Sequence, residues 1–152
     1  MTNQNNTTVN ISPVAASNIK VAQFILSANS TEESFEYFAD DIVLELPYAP
    51  SLNMPDRFEG KDVATTYLRQ MLTQLKGLKL HSIRSYAVEG EPDTIISEYE
   101  GDAVTPDGNT YTQSYMNKML FRDGKLILLR EFWNPMAVVD ATNGKFEGNV
   151  ND

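Results

Sequence analysis

Four stretches of this chain, LKLHSIRSYAV (78–88), TIISEYEGDAV (94–104), TYTQSYMNKMLF (110–121) and KLILLREFW (125–133), decide its fold. In each, apolar and polar residues recur largely with the period of two expected of strands, not the 3.6 of a helix. Between them stand turn formers: Gly90-Glu91-Pro92-Asp93, Thr105-Pro106-Asp107-Gly108-Asn109 and the tight Arg122-Asp123-Gly124. Long strands joined by short turns make an antiparallel meander.

What precedes the meander is mostly helical. Ser12 is placed to cap a helix that has Pro13 at its first position. Ile19, Ala22, Ile25 and Leu26 then recur at helical spacing, with Phe24 beside them, until about Ala28-Asn29. Ser30-Thr31-Glu32-Glu33 reads as a capping box for a second, short helix with Phe35, Tyr37 and Phe38 on its apolar side, broken by Ala39-Asp40-Asp41. Residues 42–46 read as a short strand stopped by Pro47, and 48–59 as a Pro-containing loop. Gly60-Lys61-Asp62 opens a third helix with the stripe Val63, Tyr67, Leu68, Met71, Leu72 and Leu75, which Gly77 closes. Helices first and a meander afterwards give an α+β domain. Three helices on a curved antiparallel sheet form a cone whose open mouth is a natural pocket. The expected organisation is a disordered polar tail (1–11), one domain (12–140) and a flexible tail (141–152).

Composition narrows the function. The 152 residues contain no cysteine and one histidine, which leaves no disulfide, thiolate ligand, cysteine nucleophile or multi-histidine zinc site. Twelve Lys and Arg against 21 Asp and Glu give a net charge of −9, and no basic run exists. Nucleic acid and anionic membrane surfaces are therefore not expected partners. The N-terminal MTNQNNTTVN lacks the basic and apolar regions of a signal peptide, and no apolar run could span a bilayer. A cytoplasmic protein is the expectation. No phosphate-cradling glycine loop, nucleophile elbow, dinucleotide fingerprint or calcium-loop spacing is present.

The order of elements, Phe38-Ala39-Asp40-Asp41 at the first strand, the helix after Glu59-Gly60-Lys61, and the ending Gly124-Lys125-Leu126-Ile127-Leu128-Leu129-Arg130-Glu131-Phe132-Trp133-Asn134-Pro135 resemble the nuclear transport factor 2-like (cystatin-like) superfamily. Within it the chain resembles the SnoaL-like, ketosteroid isomerase-related branch. The closing Arg130-Glu131-Phe132-Trp133-Asn134-Pro135 is most similar to the phenazine biosynthesis A/B proteins. The likeness spans roughly residues 13–140. It implies a cone-shaped fold and a small-molecule pocket, with Glu131 and Trp133 inside and proton transfer by Glu131, with His81 as a partner. It departs from the isomerases at the positions that carry their chemistry. Leu46, before Pro47, stands where they place an aspartate; Ala22 lies near their tyrosine, and Asn117 near their oxyanion aspartate. Isomerisation by that mechanism is not implied.

Read from the residues, Glu131 shares a strand face with Ile127, Leu129 and Trp133, and Leu126, Leu128, Arg130 and Phe132 take the other. A carboxylate among apolar side chains loses hydration and becomes a general acid or base near neutral pH; the alternative is pairing with a cation such as Arg84. His81 titrates in the useful range, and the pattern leaves open which face it takes. Trp133 offers flat apolar area to a ligand ring. Tyr115, Asn117 and Met119 on one strand, with Tyr99 from its neighbour, form a candidate pocket wall, joined by Tyr67 and Met71 on the third helix. Tyr48 and Met54 sit where a lid would be.

The expectation is a cofactor-free enzyme moving protons on a small cyclic or polyketide-like carbonyl compound: isomerisation, cyclisation, dehydration or imine formation. The alternatives are a non-catalytic binding module and an interaction domain. A homodimer through the apolar outer face of the last strand is the expected assembly.

Overall fold

A computed structural model describes residues 10–28 and 31–144. The outer parts of both expected tails, and Ser30 of the expected capping box, lie outside the described residues. Helix α1 (Pro13–Ser27) starts as expected: the Ser12 hydroxyl accepts from the Ala15 N–H at 3.1 Å. Its inner side buries Ala22, Ile25 and Leu26. Helix α2 (Glu32–Phe35) is one turn long, with Thr31 at its N-cap and no capping side-chain bond. Strand β1 (Phe38–Glu45) begins earlier than expected. Asp40 and Asp41 do not break the chain into a turn; they sit exposed in an irregular part of β1, where Arg122 grips Asp41 at 2.7 and 3.0 Å.

A 3-10 turn (Ala49–Leu52) and the short strand β2 (Arg57–Glu59) occupy the expected loop. Helix α3 (Lys61–Gln74) turns Tyr67, Leu68, Met71 and Leu72 inward, whereas Val63, expected in the same stripe, is 51% exposed on the first turn. The helix stops at Leu75, and Gly77 lies within β3 (Lys76–Val88) with φ +65. Strands β4 (Glu91–Val104), β5 (Thr110–Arg122) and β6 (Lys125–Trp133) complete the meander. Asp123 and Gly124, both at positive φ, close the β5–β6 hairpin in the two-residue form that matches strand twist.

The sheet order is β2-β1-β6-β5-β4-β3. It is mixed and not wholly antiparallel, because β1 runs parallel to β6. There is also a fourth helix, α4 (Pro135–Ala141), which the sequence reading did not assign and which reaches the residue where the tail was expected to begin. Asn134 caps it, accepting from the Met136 N–H at 3.0 Å, and Ala141 is buried. No helix among the described residues is long and apolar enough to cross a membrane.

Bulges bend the sheet and reset its faces. Leu120 pairs Leu128 but Phe121 pairs Leu126, so Ile127 is an extra residue. Leu126, expected on the outer face, is consequently fully buried in the core, while Leu129 also points inward. That removes Leu126 from the surface proposed for a dimer. In β3, Ser82 at φ 55 interrupts the pairing between His81 and Arg84, so Leu80 and Ile83 both reach the core. Ile42, Leu44, Ile95, Met119 and Leu126 form its least accessible part, each worth about 1.5–3 kcal/mol of burial.

Candidate functional site

The concave face of the sheet and helices α1 and α3 enclose a cavity of about 100 Å³, open on one side. Its walls are mostly hydrocarbon. Ile25 and Leu26 come from α1, Leu68, Met71 and Leu72 from α3, and Leu78 and Leu80 from β3. Leu46 and Met54 close one flank, and Val138 of α4 another. The polar atoms belong to Tyr67, Tyr111, Tyr115, Glu131 and the indole of Trp133.

Strand register explains this arrangement. Ser85, Ser97, Asn117 and Glu131 stand opposite one another on β3, β4, β5 and β6, a polar row across the inner face. Tyr99, Tyr115 and Trp133 form the adjacent row. The rings of Tyr99 and Tyr115 stack at 5.0 Å and 11°. Diagonally, the Tyr99 hydroxyl donates a short hydrogen bond to Glu131 Oε2. Asn117 Nδ2 in turn donates to Tyr99 Oη at 3.3 Å. Asn117 is 1% exposed, and its Oδ1 has no partner among the described residues.

Among the described residues, Glu131 has no cation beside it. It is half-buried, and the space it borders is the cavity. Loss of hydration raises its pKa from 4.5 to about 7, against the smaller downward pull of the Tyr99 hydrogen bond. Arg84, the cation weighed as its partner, faces Glu98 on the other side of the sheet at 4.0 Å. Burial likewise pushes the phenols of Tyr67, Tyr99, Tyr111 and Tyr115 up, and the charge of Glu131 pushes each further. These groups are therefore neutral O–H donors. Tyr111 and Tyr115 share one hydrogen bond at 3.1 Å, which leaves one of their two protons unspent.

The structure brings Glu131, Trp133, Tyr115, Tyr67 and Met71 to the cavity together. Tyr99 and Asn117 stand behind Glu131 and do not line the space. Met119 is core. Tyr48 does not line the cavity: it is 50% exposed and packs edge-on against Phe132, whose strand neighbours Glu131 and Trp133 face inward. Met54 from the same loop does line the cavity. His81 is not brought to Glu131. It belongs to the opposite face, with Nε2 at 2.7 Å from Asp102 and Nδ1 at 3.0 Å from Ser82 Oγ.

Sequence reasoning missed Tyr111, although it shares the alternation of Tyr115, Asn117 and Met119. It also missed Gln113 on that face. The Gln113 side chain is buried and clamps Asn134, donating to its carbonyl and accepting from its N–H, both at 2.9 Å. That bond fixes the corner after Trp133 from which α4 carries Val138 to the cavity. The signal for α4 was present, since Asn134-Pro135 repeats the cap-then-proline pattern of Ser12-Pro13.

Comparison with known proteins agrees with this geometry. The model of the SnoaL-like domain matches residues 25–129. An uncharacterized PhzA/B-like protein of Pseudomonas aeruginosa is 34% identical over 110 residues, covering 72% of this chain and 76% of the relative. The crystal structure of a candidate isomerase from Bacillus subtilis superposes with a TM-score of 0.79 at 26% identity, covering 89% of this chain and 99% of that one. A phenazine biosynthesis-related protein from Pseudomonas aeruginosa superposes at 0.74 with 16% identity, over 91% and 87% of the two chains, which shows a shared fold. With a curved sheet roofed by helices, an apolar cavity beneath them and this match over most of its length, the chain belongs to the SnoaL-like family of small-molecule-binding domains with the nuclear transport factor 2-like fold.

Proposed function

We propose that the domain is a cofactor-independent enzyme in which Glu131 moves a proton on a small cyclic carbonyl compound. One observation carries the reading: a carboxyl without a cation lines an apolar cavity, and its pKa of about 7 makes both its forms available near neutrality. Tyr99 holds Oε2, and no described residue hydrogen-bonds Oε1. Ionised Glu131 takes a proton from the carbon beside the carbonyl. The C–H electron pair becomes the enolate, and the carbonyl oxygen gains negative charge. The neutral phenols of Tyr67 and of the Tyr111–Tyr115 pair are the donors available to that oxygen. Protonated Glu131 then returns the proton to another carbon (isomerisation) or to a leaving hydroxyl (dehydration). The alternative of binding without chemistry is less favoured because Glu131 borders the cavity instead of solvent, although Leu46 lines it too while Ala22 and Met119 do not.

The test is exchange of α-protons of cyclohexanone and cyclohex-2-enone in D2O, followed by NMR. Wild type exchanges them, faster as pH rises through about 7, and Glu131→Gln lowers the rate by about 100- to 10,000-fold. Equal exchange by both proteins refutes the role of Glu131.

A further inference from the structure

We infer that the cavity selects a single uncharged ring bearing an acceptor oxygen, and turns away ring carboxylates and fused-ring compounds. The inference deepens the proposed function and rests on it for the chemistry, while the selection comes from the walls. Size is the first argument. A cavity of about 100 Å³ compares with the roughly 150 Å³ that accommodates benzene and the roughly 300–1,000 Å³ of sites for drug-sized ligands. One six-membered ring takes up that space, and a fused second ring would have to press on the walls or extend out through the open side.

Charge is the second. None of the described residues lining the cavity is Lys, Arg or His, and Glu131 is its one ionisable acid. The arginines are committed elsewhere: Arg57 and Arg130 to Glu45, Arg69 to Glu32, Arg122 to Asp41. An entering carboxylate would lose its hydration, meet Glu131, and find no counter-charge.

Donor and acceptor balance is the third. Tyr67 makes no hydrogen bond to another described residue. The Tyr111–Tyr115 pair keeps one proton free. At least two phenolic protons thus await an acceptor, which a carbonyl oxygen supplies.

Trp133, the only tryptophan, lines the cavity, so its fluorescence reports occupancy directly. The wild-type protein and Glu131→Gln are titrated with benzamide, benzoate and 2-naphthamide at about pH 8.5 and about pH 5.5, either side of the Glu131 midpoint. Benzamide is expected to bind wild type at the higher pH at least about tenfold more tightly than each of the other two. The gap to benzoate, an anion at both pH values, is expected to narrow at the lower pH and in Glu131→Gln. Benzoate or 2-naphthamide binding as tightly as benzamide overturns the inference, as does no change of Trp133 emission with any probe at millimolar concentration. The two readings fail separately. Benzamide selection without α-proton exchange leaves the selectivity standing and removes the base; exchange without selection does the reverse.

Discussion

Replacing Glu131 by Gln is expected to stabilise the protein, and only at neutral and alkaline pH. The Glu131 pKa is raised from 4.5 to about 7. Between those values the unfolded chain has released this proton while the folded chain keeps it. The folded state therefore binds more protons, and the free energy of unfolding falls as pH rises. The loss is complete above about pH 7. A shift of roughly 2.5 units at 1.36 kcal/mol each amounts to about 3 kcal/mol. The glutamine of the variant carries no such loss. Its side-chain carbonyl oxygen can still accept from Tyr99, and its amide faces the cavity where water can satisfy it. The measurement is urea unfolding of both proteins at about pH 5 and about pH 8.5, taken as the difference between them so that other carboxylates cancel. The variant should gain on wild type by about 2–3 kcal/mol between the two conditions. A difference that does not change with pH, or that moves against the variant as pH rises, would mean that Glu131 is solvated as an ordinary surface carboxylate. The proposed proton chemistry would fall with it.

Three further substitutions probe the surroundings of that carboxyl. Tyr99→Phe removes a hydrogen bond to the ionised form, worth about 1.5–3 kcal/mol, so the Glu131 pKa should rise by about one to two units; carbon-13 NMR of labelled Glu131 reads it, and an unchanged or lower value contradicts the assignment. Gly101→Ala puts a methyl 2.9 Å from Tyr115 Cε2 and 3.0 Å from Leu80 Cδ2, and should cost about 1–3 kcal/mol while disturbing the Tyr111–Tyr115 pair; unchanged stability and unchanged ring resonances would refute the tight fit. Gln113→Ala frees the Asn134 backbone at a cost of about 1–3 kcal/mol, and amide exchange in α4 should accelerate more than in α1; uniform protection would show that the clamp does not hold α4.

Much of the fold could be read because its strongest signals are local. The meander followed from turn chemistry, and Lys125–Trp133 emerged as the last strand because Asp123-Gly124 permits little but a two-residue hairpin. The parallel β1–β6 pairing was invisible, since nothing in residues 38–45 names a partner more than eighty positions away. Faces were legible where alternation is strict, as from Leu129 to Trp133, misread before Ile127, and left open around Ser82; at both places one extra residue reverses every side chain beyond it. That reversal accounts for the position of Leu126. It also accounts for Ile83, which strict alternation had grouped with His81. The role of α4 was missed although its cap and proline stood in plain view, because a short helix after a polar boundary has no period long enough to register.

The site divides along the same line. Glu131 and Trp133 were legible from an apolar strand that carries one acid. What the sequence left open was whether that acid has a cation, and there strand order decides, since two strands separate β3 and its Arg84 from β6. Arg84 pairs opposite Glu98, one residue out of phase with the inward row of Ser85, Ser97, Asn117 and Glu131. A cation within reach of Glu131 would have formed a buried ion pair, held it ionised far below neutrality and left it useless as an acid near pH 7. Instead the row and its neighbour hold groups that cannot compensate a charge: two serines bonded to each other at 2.8 Å, an amide, and in the adjacent row phenols that burial keeps neutral. The inner face thus supplies hydrogen bonds and withholds counter-charge. That combination raises the Glu131 pKa, and it would likewise deny an entering anion its partner. The roughly 3 kcal/mol of stability forgone above neutrality and the expected refusal of carboxylates are two consequences of one placement, and Glu131→Gln should relieve both together.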